Sequence, residues 1–509
     1  MQLTQGLRRN ARLLGPKTAT ISSNRSTSWS QFANRVARIA GGLRQRGISK
    51  GDRVAILAHN SDRYMEALYA IAWAGAVSVP FNTRWAIAEM SAALKDCEPS
   101  ALFADDAFAG RAADLAGQAG IPLFGMDSVI SEDDIEQLVA SSAPAADACG
   151  SGDELASIIY TGGTTGRSKG VMLSHNNLLV NFLLFNAAAP FERDTRFLHT
   201  PPMFHLADLA NVFGITMLGG SHVILPGFEP NAVIDAIERH GVNALVLVPT
   251  MIGILCETLR SRPADLSAVR RMTYGASPIS PALLERAMTV MPNTRFCQGF
   301  GQTEHSPALT MLDHSDHLAG RLESCGRPLP GVDLRIVDAE LNNVPTGAVG
   351  EVLARGPSVM LGYWNQPELT ESTIVGGWLR TGDAGRLDDE GYLYLVDRVK
   401  DMIVSGGENV YSAEVENALL EHPDVLQCAV IGVPDDLWGE RVHAVVKLRK
   451  GSRANEADLI AHCEPLIANY KRPKSIDLQF TPLPMSGVGK ILKTELRAPY
   501  WQGHNRQIG

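Results

Sequence analysis

YTGGTTGRSKG, residues 160–170, joins an apolar run at residues 155–159 to four glycines, three threonines and one lysine. A strand that enters such a turn places consecutive backbone N–H groups around one small volume, because glycine permits the positive φ values that point them inward. The threonine hydroxyls add donors, and Lys169 adds a positive charge. The stretch therefore predicts a phosphate-binding loop, with an ordinary surface turn as the alternative. Its spacing differs from the G-x-x-x-x-G-K-S/T loop of P-loop kinases and GTPases.

The composition limits the class of protein. Of the 509 residues, 45% are hydrophobic and 20% are charged, which is typical of a globular chain of about three folding units. The formal net charge of −9 disfavours a nucleic-acid binder, which usually presents a basic face. The seven cysteines form no C-x-x-C pair, so neither a zinc site nor a disulfide framework is predicted.

Neither a membrane span nor a signal peptide is predicted. No apolar run approaches the ~18 residues of a transmembrane helix. Residues 1–15 lack the apolar core of a signal peptide, although their arginines keep a transit peptide open as the alternative. The expected location is cytoplasmic.

Strand and helix patterns alternate along most of the chain. Apolar residues recur on one helical stripe, and a buried-strand pattern, RVAILA, follows at 53–58. That stripe consists of Phe32, Val36, Ile39 and Leu43. Similar alternation around 244–250 and 270–276 predicts parallel sheets with helices on both faces.

The pattern changes twice towards the C-terminus. Short period-2 runs without a long helix, near 325–397, predict a small antiparallel, barrel-like unit. Beyond Arg398, the patterns predict a compact α+β tail with strands at 425–433 and 442–448 and helices near 412–421 and 455–469.

Five motifs resemble, in order, those of the acyl-adenylate-forming enzymes, which include acyl-CoA synthetases, stand-alone adenylation domains and firefly-type luciferases. They are YTGGTTGRSKGVMLSH (160–175), YGASPIS (274–280), GFGQTEHSP (299–307), the stretch at 377–416 and GVGKILKTELR (487–497). The similarity is strongest to bacterial fatty-acyl and aryl-CoA ligases. It implies an α/β fold: an N-terminal domain (1–397) of two doubly wound α/β subdomains plus the β-barrel, and a small mobile C-terminal α+β domain (398–509).

The resemblance implies an AMP-forming acid–thiol ligase that uses ATP, Mg²⁺ and coenzyme A. A carboxylate attacks the α-phosphate of ATP to give an acyl-adenylate and pyrophosphate, and a thiol then displaces AMP. Such chemistry depends on charge neutralisation and positioning more than on a protein nucleophile. No nucleic acid is expected as a partner, and a homodimer is compatible with the family.

The resemblance also implies a set of nucleotide-binding residues. The phosphate loop supplies Thr161, Gly162, Gly163, Thr164, Thr165, Gly166 and Lys169. The adenine walls are Gly275, Ala276, Ser277, Gly299, Phe300, Gly301, Gln302 and Thr303. Asp383 and Arg398 contact the ribose, and Glu304 with Thr165 holds Mg²⁺. Taken alone, Asp383 and Glu304 would be a turn residue and a solvated loop charge.

The remaining implied residues belong to catalysis of adenylation, to the thiol half-reaction and to domain movement. Lys490 is the candidate catalytic lysine of adenylation, and Lys400 occupies the hinge position. Gly406 and Gly407 form the face brought to the thiol tunnel. His205 matches a gate between the acid pocket and the thiol entrance, with ordinary packing as the alternative. Trp438 is either a CoA contact or part of the tail core.

Three positions depart from the family pattern. Gly162 replaces the usual serine, which removes one hydroxyl donor from the loop and is expected to alter the affinity for ATP. Phe300 replaces the usual tyrosine, and Val488 replaces the usual threonine.

The acid is less well specified. The predicted pocket stretches, 205–213, 275–278 and 300–308, are mostly small or apolar, which fits a fatty or an aromatic acid. They contain no lysine or arginine, which argues against dicarboxylic acids. Loading of a carrier protein is the main alternative function. An acyl-nucleotide sensor is less well supported because Lys490, Glu304 and Asp383 are present, and a P-loop NTPase because the loop spacing is wrong. A luciferase-like oxygenase is a further alternative that no residue beyond the shared motifs supports.

Overall fold

A computed structural model describes residues 1–126, 134–161, 168–277, 279–398, 401–405, 408–435, 438–485 and 491–502. The chain forms two compact units, Met1–Asp333 with Arg355–Leu379 and Leu334–Ala354 with Arg380–Gly509. The predicted domain boundary at residue 398 stays a prediction.

The strands, in chain order, are β1 (Thr18–Ser22), β2 (Arg25–Ser28), β3 (Arg53–Leu57), β4 (Val77–Pro80), β5 (Ala101–Ala104), β6 (Leu123–Gly125), β7 (Leu155–Thr161), β8 (Lys169–Ser174), β9 (Arg196–His199), β10 (Ser221–Ile224), β11 (Ala244–Leu247), β12 (Arg271–Gly275), β13 (Arg295–Gly301), β14 (Ala308–Leu312), β15 (Arg327–Pro328), β16 (Asp333–Val337), β17 (Gly350–Arg355), β18 (Gly362–Tyr363), β19 (Ile374–Val375), β20 (Trp378–Leu387), β21 (Leu393–Arg398), β22 (Ile403–Ser405), β23 (Glu408–Val410), β24 (Val425–Asp435), β25 (Gly439–Leu448) and β26 (Ser475–Gln479).

The α-helices are α1 (Gln5–Leu13), α2 (Trp29–Gln45), α3 (Asp62–Ala74), α4 (Ile87–Cys97), α5 (Ala109–Ala119), α6 (Ile135–Ser141), α7 (His175–Ala188), α8 (Leu206–Leu218), α9 (Pro230–His240), α10 (Pro249–Ser261), α11 (Pro281–Val290), α12 (His314–Leu318), α13 (Pro367–Thr373), α14 (Ser412–Leu420), α15 (Glu456–Cys463) and α16 (Lys493–Arg497).

The first unit is built on two α/β sheets. One has the strand order β15-β14-β13-β12-β11-β9-β10-β1-β2, and the other has the order β18-β8-β7-β4-β3-β5-β6. The central strands are parallel, as the sequence predicts. Both edges of the first sheet and one edge of the second are antiparallel, because β2, β8, β14, β15 and β18 return along their neighbours, whereas the edge strand β6 is parallel to β5. The predicted α/β class with parallel sheets is confirmed for the central strands, and the antiparallel edge strands make both sheets mixed.

Local sequence signals account for the helices of this unit. Ser28 and Gln31 form a capping box at the start of α2. The predicted stripe of α2 is buried. Gly75, at φ 83°, ends α3 in the left-handed conformation that glycine adopts without strain. Within the described residues, no helix combines the length and the apolar character that a membrane crossing requires.

The second unit contains two smaller sheets. In one, β17 lies between β16 and β20, and β21 pairs antiparallel with β20. The other has the order β23-β22-β25-β24, with β26 on β25. The predicted tail strands are confirmed as parts of β24 and β25. The predicted helix near 455–469 is shorter, because α15 ends at Cys463, two residues before a proline.

Candidate active site

The edges of the phosphate loop lie on a hairpin of the first unit. Thr161 ends β7 and pairs in register with Lys169, which begins β8. The predicted residues between them, Gly162, Gly163, Thr164, Thr165 and Gly166, lie outside the described residues. The Lys169 ammonium lies 5.2 Å from the centre of the Tyr363 ring, within the range of a cation–π contact.

Tyr363 also contacts the candidate metal ligand. Its hydroxyl donates to Oε1 of Glu304 at 2.9 Å, and the Met360 N–H donates to the Glu304 carbonyl at 2.9 Å. Burial and the nearby carboxylate raise the pKa of Tyr363, so the hydroxyl stays protonated and donates. The structure thus brings Lys169 and Glu304 to one aromatic side chain. Tyr363 is not predictable from the sequence motifs, because its position depends on the pairing of the two-residue strand β18 with β8.

Glu304 is partly exposed and suits a hard cation. It lies in a short 3₁₀ turn, Thr303–His305, directly after the strand that carries Phe300 and Gly301. Among the described residues, no group of three or more His, Cys, Asp or Glu side chains could hold a metal. Magnesium usually takes one or two carboxylates together with phosphate oxygens and water. A single carboxylate in this place therefore fits Mg²⁺ bound with a nucleotide.

The predicted adenine walls lie at the carboxyl ends of β12 and β13. Gly275 and Gly299 are paired in register, and a Cβ on Gly275 would lie 2.2 Å from the Gly299 carbonyl oxygen. A Cβ on Gly301 would lie 2.0 Å from the Pro307 carbonyl oxygen. Only glycine fits at these positions. Crevices at the carboxyl ends of parallel strands are the usual ligand sites of α/β sheets.

The other wall residues continue this crevice. Ala276 adopts φ 67°, which is uncommon for a residue with a side chain. Ser277, Phe300, Gln302 and Thr303 are all partly exposed there.

His205 lies directly before α8 and is partly exposed. Its ring packs at 4.4 Å, centre to centre, from that of Phe204. In the first turn of the helix, Oδ2 of Asp208 lies within hydrogen-bond distance, 2.8 Å, of Nδ1 of His199. On the other side of that ring, Nε2 of His199 lies 2.9 Å from Nδ1 of His222. Burial raises the pKa of Asp208 and lowers the pKa of His222 well below its usual value. This buried network, which the sequence analysis missed, anchors the start of α8 to β9 and β10.

The predicted ribose contacts lie in the second unit. Asp383 on β20 is paired in register with Arg398 on β21. Asp383 is buried, and its N–H donates to Oγ1 of Thr381 at 3.1 Å. The structure therefore places the two residues on adjacent strands.

A buried ion pair lies in the same unit. Lys493 lies 2.7 Å from Oε1 of Glu416 and also donates to the Ser412 hydroxyl. The Ser412 N–H in turn donates to Asp397 at the end of β21. Burial alone would lower the pKa of Lys493, but the Glu416 and Asp397 carboxylates raise it. The sequence analysis did not single out this network, although Lys493 belongs to the GVGKILKTELR motif.

Trp438 is 50% exposed, so it does not belong to the core of the tail. Its predicted contact with CoA stays a prediction. Four further predicted residues, Lys400, Gly406, Gly407 and Lys490, lie outside the described residues, as does Val488.

The glycine-walled crevice, with a lysine and a glutamate beside it, is the arrangement of a nucleotide-binding α/β enzyme. The chain belongs to the AMP-binding enzyme family: the model of AMP-binding enzymes matches residues 7–364, and the model of their C-terminal domain matches residues 414–490.

Two curated relatives match almost the whole chain. A feruloyl-CoA synthase from Amycolatopsis is 39% identical over 96% of this chain and 97% of its own. A fatty acid–[acyl-carrier-protein] ligase from Streptomyces coeruleorubidus is 33% identical over 96% of this chain and 95% of its own.

Solved structures of adenylate-forming enzymes have the same fold. ATP-bound MatB from Rhodopseudomonas palustris has a TM-score of 0.90 at 30% identity, covering 99% of this chain and all of that chain. The o-succinylbenzoate CoA synthetase MenE from Bacillus subtilis, in complex with ATP and magnesium ion, has a TM-score of 0.87 at 28% identity, covering 96% of this chain and 98% of that chain.

Proposed function

We propose that this protein is an AMP-forming acyl-CoA ligase that converts a carboxylic acid, ATP and CoA into an acyl-CoA, AMP and pyrophosphate. The contact of both Lys169 and Glu304 with Tyr363, beside the crevice walled by Gly275 and Gly299, carries the proposal. This arrangement offers a cation to phosphate oxygens, a carboxylate to a metal and a narrow slot to a flat base. The relatives named as a CoA synthase and an acyl ligase support the same reaction class.

The reaction proceeds in two steps. An oxygen of the acid attacks the α-phosphorus of ATP, and the bond to pyrophosphate breaks. The thiol of CoA then releases its proton to solvent, its sulfur forms a bond to the acyl carbon, and the bond from that carbon to the phosphate oxygen breaks, so that AMP leaves. Glu304 and Thr165 would hold Mg²⁺, which would neutralise phosphate charge. Lys169 and Lys490 supply the positive side-chain charges that act on the phosphate oxygens.

The other residue roles are part of the proposal. Asp383 and Arg398 hold the ribose, which their adjacent positions on β20 and β21 support. His205 lies between the acid and the thiol, and half-exposed Trp438 contacts CoA. Residues 398–509 act as the mobile domain that delivers Lys490 and then the Gly406–Gly407 face, with Lys400 as hinge.

A carrier protein is the second candidate acceptor, because one relative is named as a fatty acid–[acyl-carrier-protein] ligase. The proposed location is cytoplasmic, and the proposed assembly is a homodimer.

Exchange of labelled pyrophosphate into ATP tests the first step without any acceptor. Exchange should require an acid and Mg²⁺, and Lys490→Ala should abolish it while still forming thioester from supplied acyl-AMP and CoA. The exposed Lys450 provides the control, since Lys450→Ala should leave both steps unchanged. Exchange without any acid, or release of ADP, would refute the proposed function. Thioester formed on a carrier protein but not on CoA would instead select the second candidate.

A further inference from the structure

One face of the nine-stranded sheet carries the glycine walls at one end and an arginine at the other. Arg271, Thr273 and Gly275 alternate along β12 and therefore point to the same face. On β13, the residues opposite them in register are Arg295, Cys297 and Gly299. At ~3.3 Å per residue, Arg271 lies about 13 Å along the strand from Gly275.

Helix α7 packs against this face through Phe185. A Cβ on Gly299 would meet the Phe185 ring of α7 at 3.5 Å, so this ring lies against the glycine wall. Thr273 stays partly exposed, although it is flanked by β11 on one side and β13 on the other. The Phe185 ring therefore links the glycine wall at Gly299 to the Arg271 guanidinium, whose central carbon lies 5.2 Å from the ring centre.

Arg271 is a buried cation without a counter-ion among the described residues. It is 7% exposed, and Nη1 donates to the Ala189 carbonyl, but Nε and Nη2 have no hydrogen-bond partner. Oγ1 of Thr273 has none either. A buried charge with unpaired donors is strongly unfavourable, which points to a partner that the polypeptide does not supply.

The neighbouring arginines do not share this condition. Arg270 pairs with Glu192 and Asp194, and Arg295 pairs with Asp313. Of the three arginines at this edge of the sheet, Arg271 alone lacks a carboxylate partner within the described part of the chain.

Aromatic rings and a small cavity surround the guanidinium group. Its central carbon lies 3.9 Å from the ring centre of Phe191 and 5.2 Å from that of Phe185. A cavity of about 60 Å³ adjoins them, and the charged residues of its lining are Glu192, Arg270, Arg271 and Arg295. The rings favour a flat apolar group, and the cavity admits a small substituent next to the cation.

We propose that Arg271 and Thr273 select an aromatic carboxylic acid with a hydrogen-bond acceptor oxygen at the end remote from the reacting carboxylate. The proposal rests on the proposed function, because the reacting carboxylate must lie near the glycine walls. A ring hydroxyl, a methoxy group or a second carboxylate supplies this oxygen. A fatty chain would leave Nε, Nη2 and Oγ1 unpaired. A second carboxylate is compatible with this end of the pocket, because Arg271 lies outside the stretches 205–213, 275–278 and 300–308, whose lack of lysine and arginine disfavours dicarboxylic acids.

The test compares kcat/KM for AMP formation, with CoA present, on cinnamate, 4-hydroxy-3-methoxycinnamate, 4-carboxycinnamate and decanoate. The wild type should prefer an oxygen-bearing ring to cinnamate by at least about tenfold. Arg271→Met should lower that preference by about 10- to 100-fold while leaving cinnamate nearly unchanged. Arg239→Met, at an exposed arginine of α9 that does not line this cavity, is the control and should keep the wild-type preference. Preference for 4-hydroxy-3-methoxycinnamate would indicate a neutral acceptor oxygen, and preference for 4-carboxycinnamate would indicate an anionic one. Either preference over cinnamate supports the proposal.

Three outcomes would overturn it. Equal loss on all acids in Arg271→Met would reduce the arginine to a packing role, and a wild-type preference for decanoate would exclude the aromatic acid. If Arg271→Met fails to fold, Thr273→Val takes its place and should lower the same preference a few-fold; an unchanged preference there would refute the proposal. A wild type inactive on every acid would instead contradict the proposed function itself.

Discussion

Tyr363 is the residue through which the phosphate-loop lysine and the candidate metal carboxylate meet. It stacks beneath the Lys169 ammonium and donates its hydroxyl to Glu304. The hydroxyl fixes one carboxylate oxygen and leaves the other for a metal. At the scale of single residues, this contact determines how well Glu304 is oriented.

Tyr363→Phe should therefore weaken the binding of Mg·ATP and leave the fold intact. The lost hydrogen bond to a charged acceptor is expected to raise the KM for Mg·ATP by about tenfold, with kcat changed less. A titration of AMP formation against Mg²⁺ measures this, and Tyr470→Phe, at an exposed tyrosine, is the control. An identical Mg²⁺ dependence in the variant and the wild type would remove Tyr363 from the site.

At the scale of elements, the Lys493–Glu416 pair joins α16 to α14 in the second unit. Glu416 also accepts the Val430 N–H at 2.7 Å, so the pair reaches strand β24 as well. Both side chains are largely buried. Removal of one partner would leave the other charge buried and uncompensated.

Lys493→Met should lower the free energy of unfolding by about 3–5 kcal/mol. Urea denaturation measures this loss. The double variant Lys493→Met/Glu416→Gln should recover part of it, because glutamine still accepts the Val430 N–H and carries no charge. Lys450→Met serves as the exposed control. If the single variant is as stable as the wild type, the pair does not hold these elements together.

The elements also show what the sequence could predict. The strand before the phosphate loop is confirmed as β7, and the stripe of Phe32, Val36, Ile39 and Leu43 is confirmed in α2. The antiparallel return of β8 was missed, yet the connection from Thr161 to Lys169 is too short for the crossover that a parallel pair requires. The positions of Tyr363 and Arg271 in the site could be assigned only from the register of the paired strands. Counting back from Gly275 in steps of two along β12 would have placed Arg271 on the face of the crevice.

At the scale of the whole molecule, buried histidines make stability depend on pH. Burial lowers the pKa of His175 to about 4 and that of His305 to about 4. In the unfolded chain these groups take up a proton near pH 6.5, whereas the folded protein resists protonation until pH 4. Between these values the unfolded state binds more protons, so the free energy of unfolding falls as the pH falls.

The melting temperature should therefore drop between pH 6.5 and pH 4. Each histidine contributes up to roughly 3 kcal/mol to this loss. His175→Gln removes one titrating group and keeps an acceptor for the Leu3 N–H, which His175 accepts at Nδ1. Its melting temperature should fall less steeply over the same range. A slope equal to that of the wild type would mean that His175 is not held neutral.

The measurement that tests the central claim most directly is the simultaneous quantification of AMP, pyrophosphate and acyl-CoA from the wild-type protein with Mg·ATP and an aromatic acid. The account predicts that all three products appear in equal amounts and that AMP release stops when either the acid or CoA is omitted. Formation of ADP, or AMP release at the same rate without CoA, would contradict it.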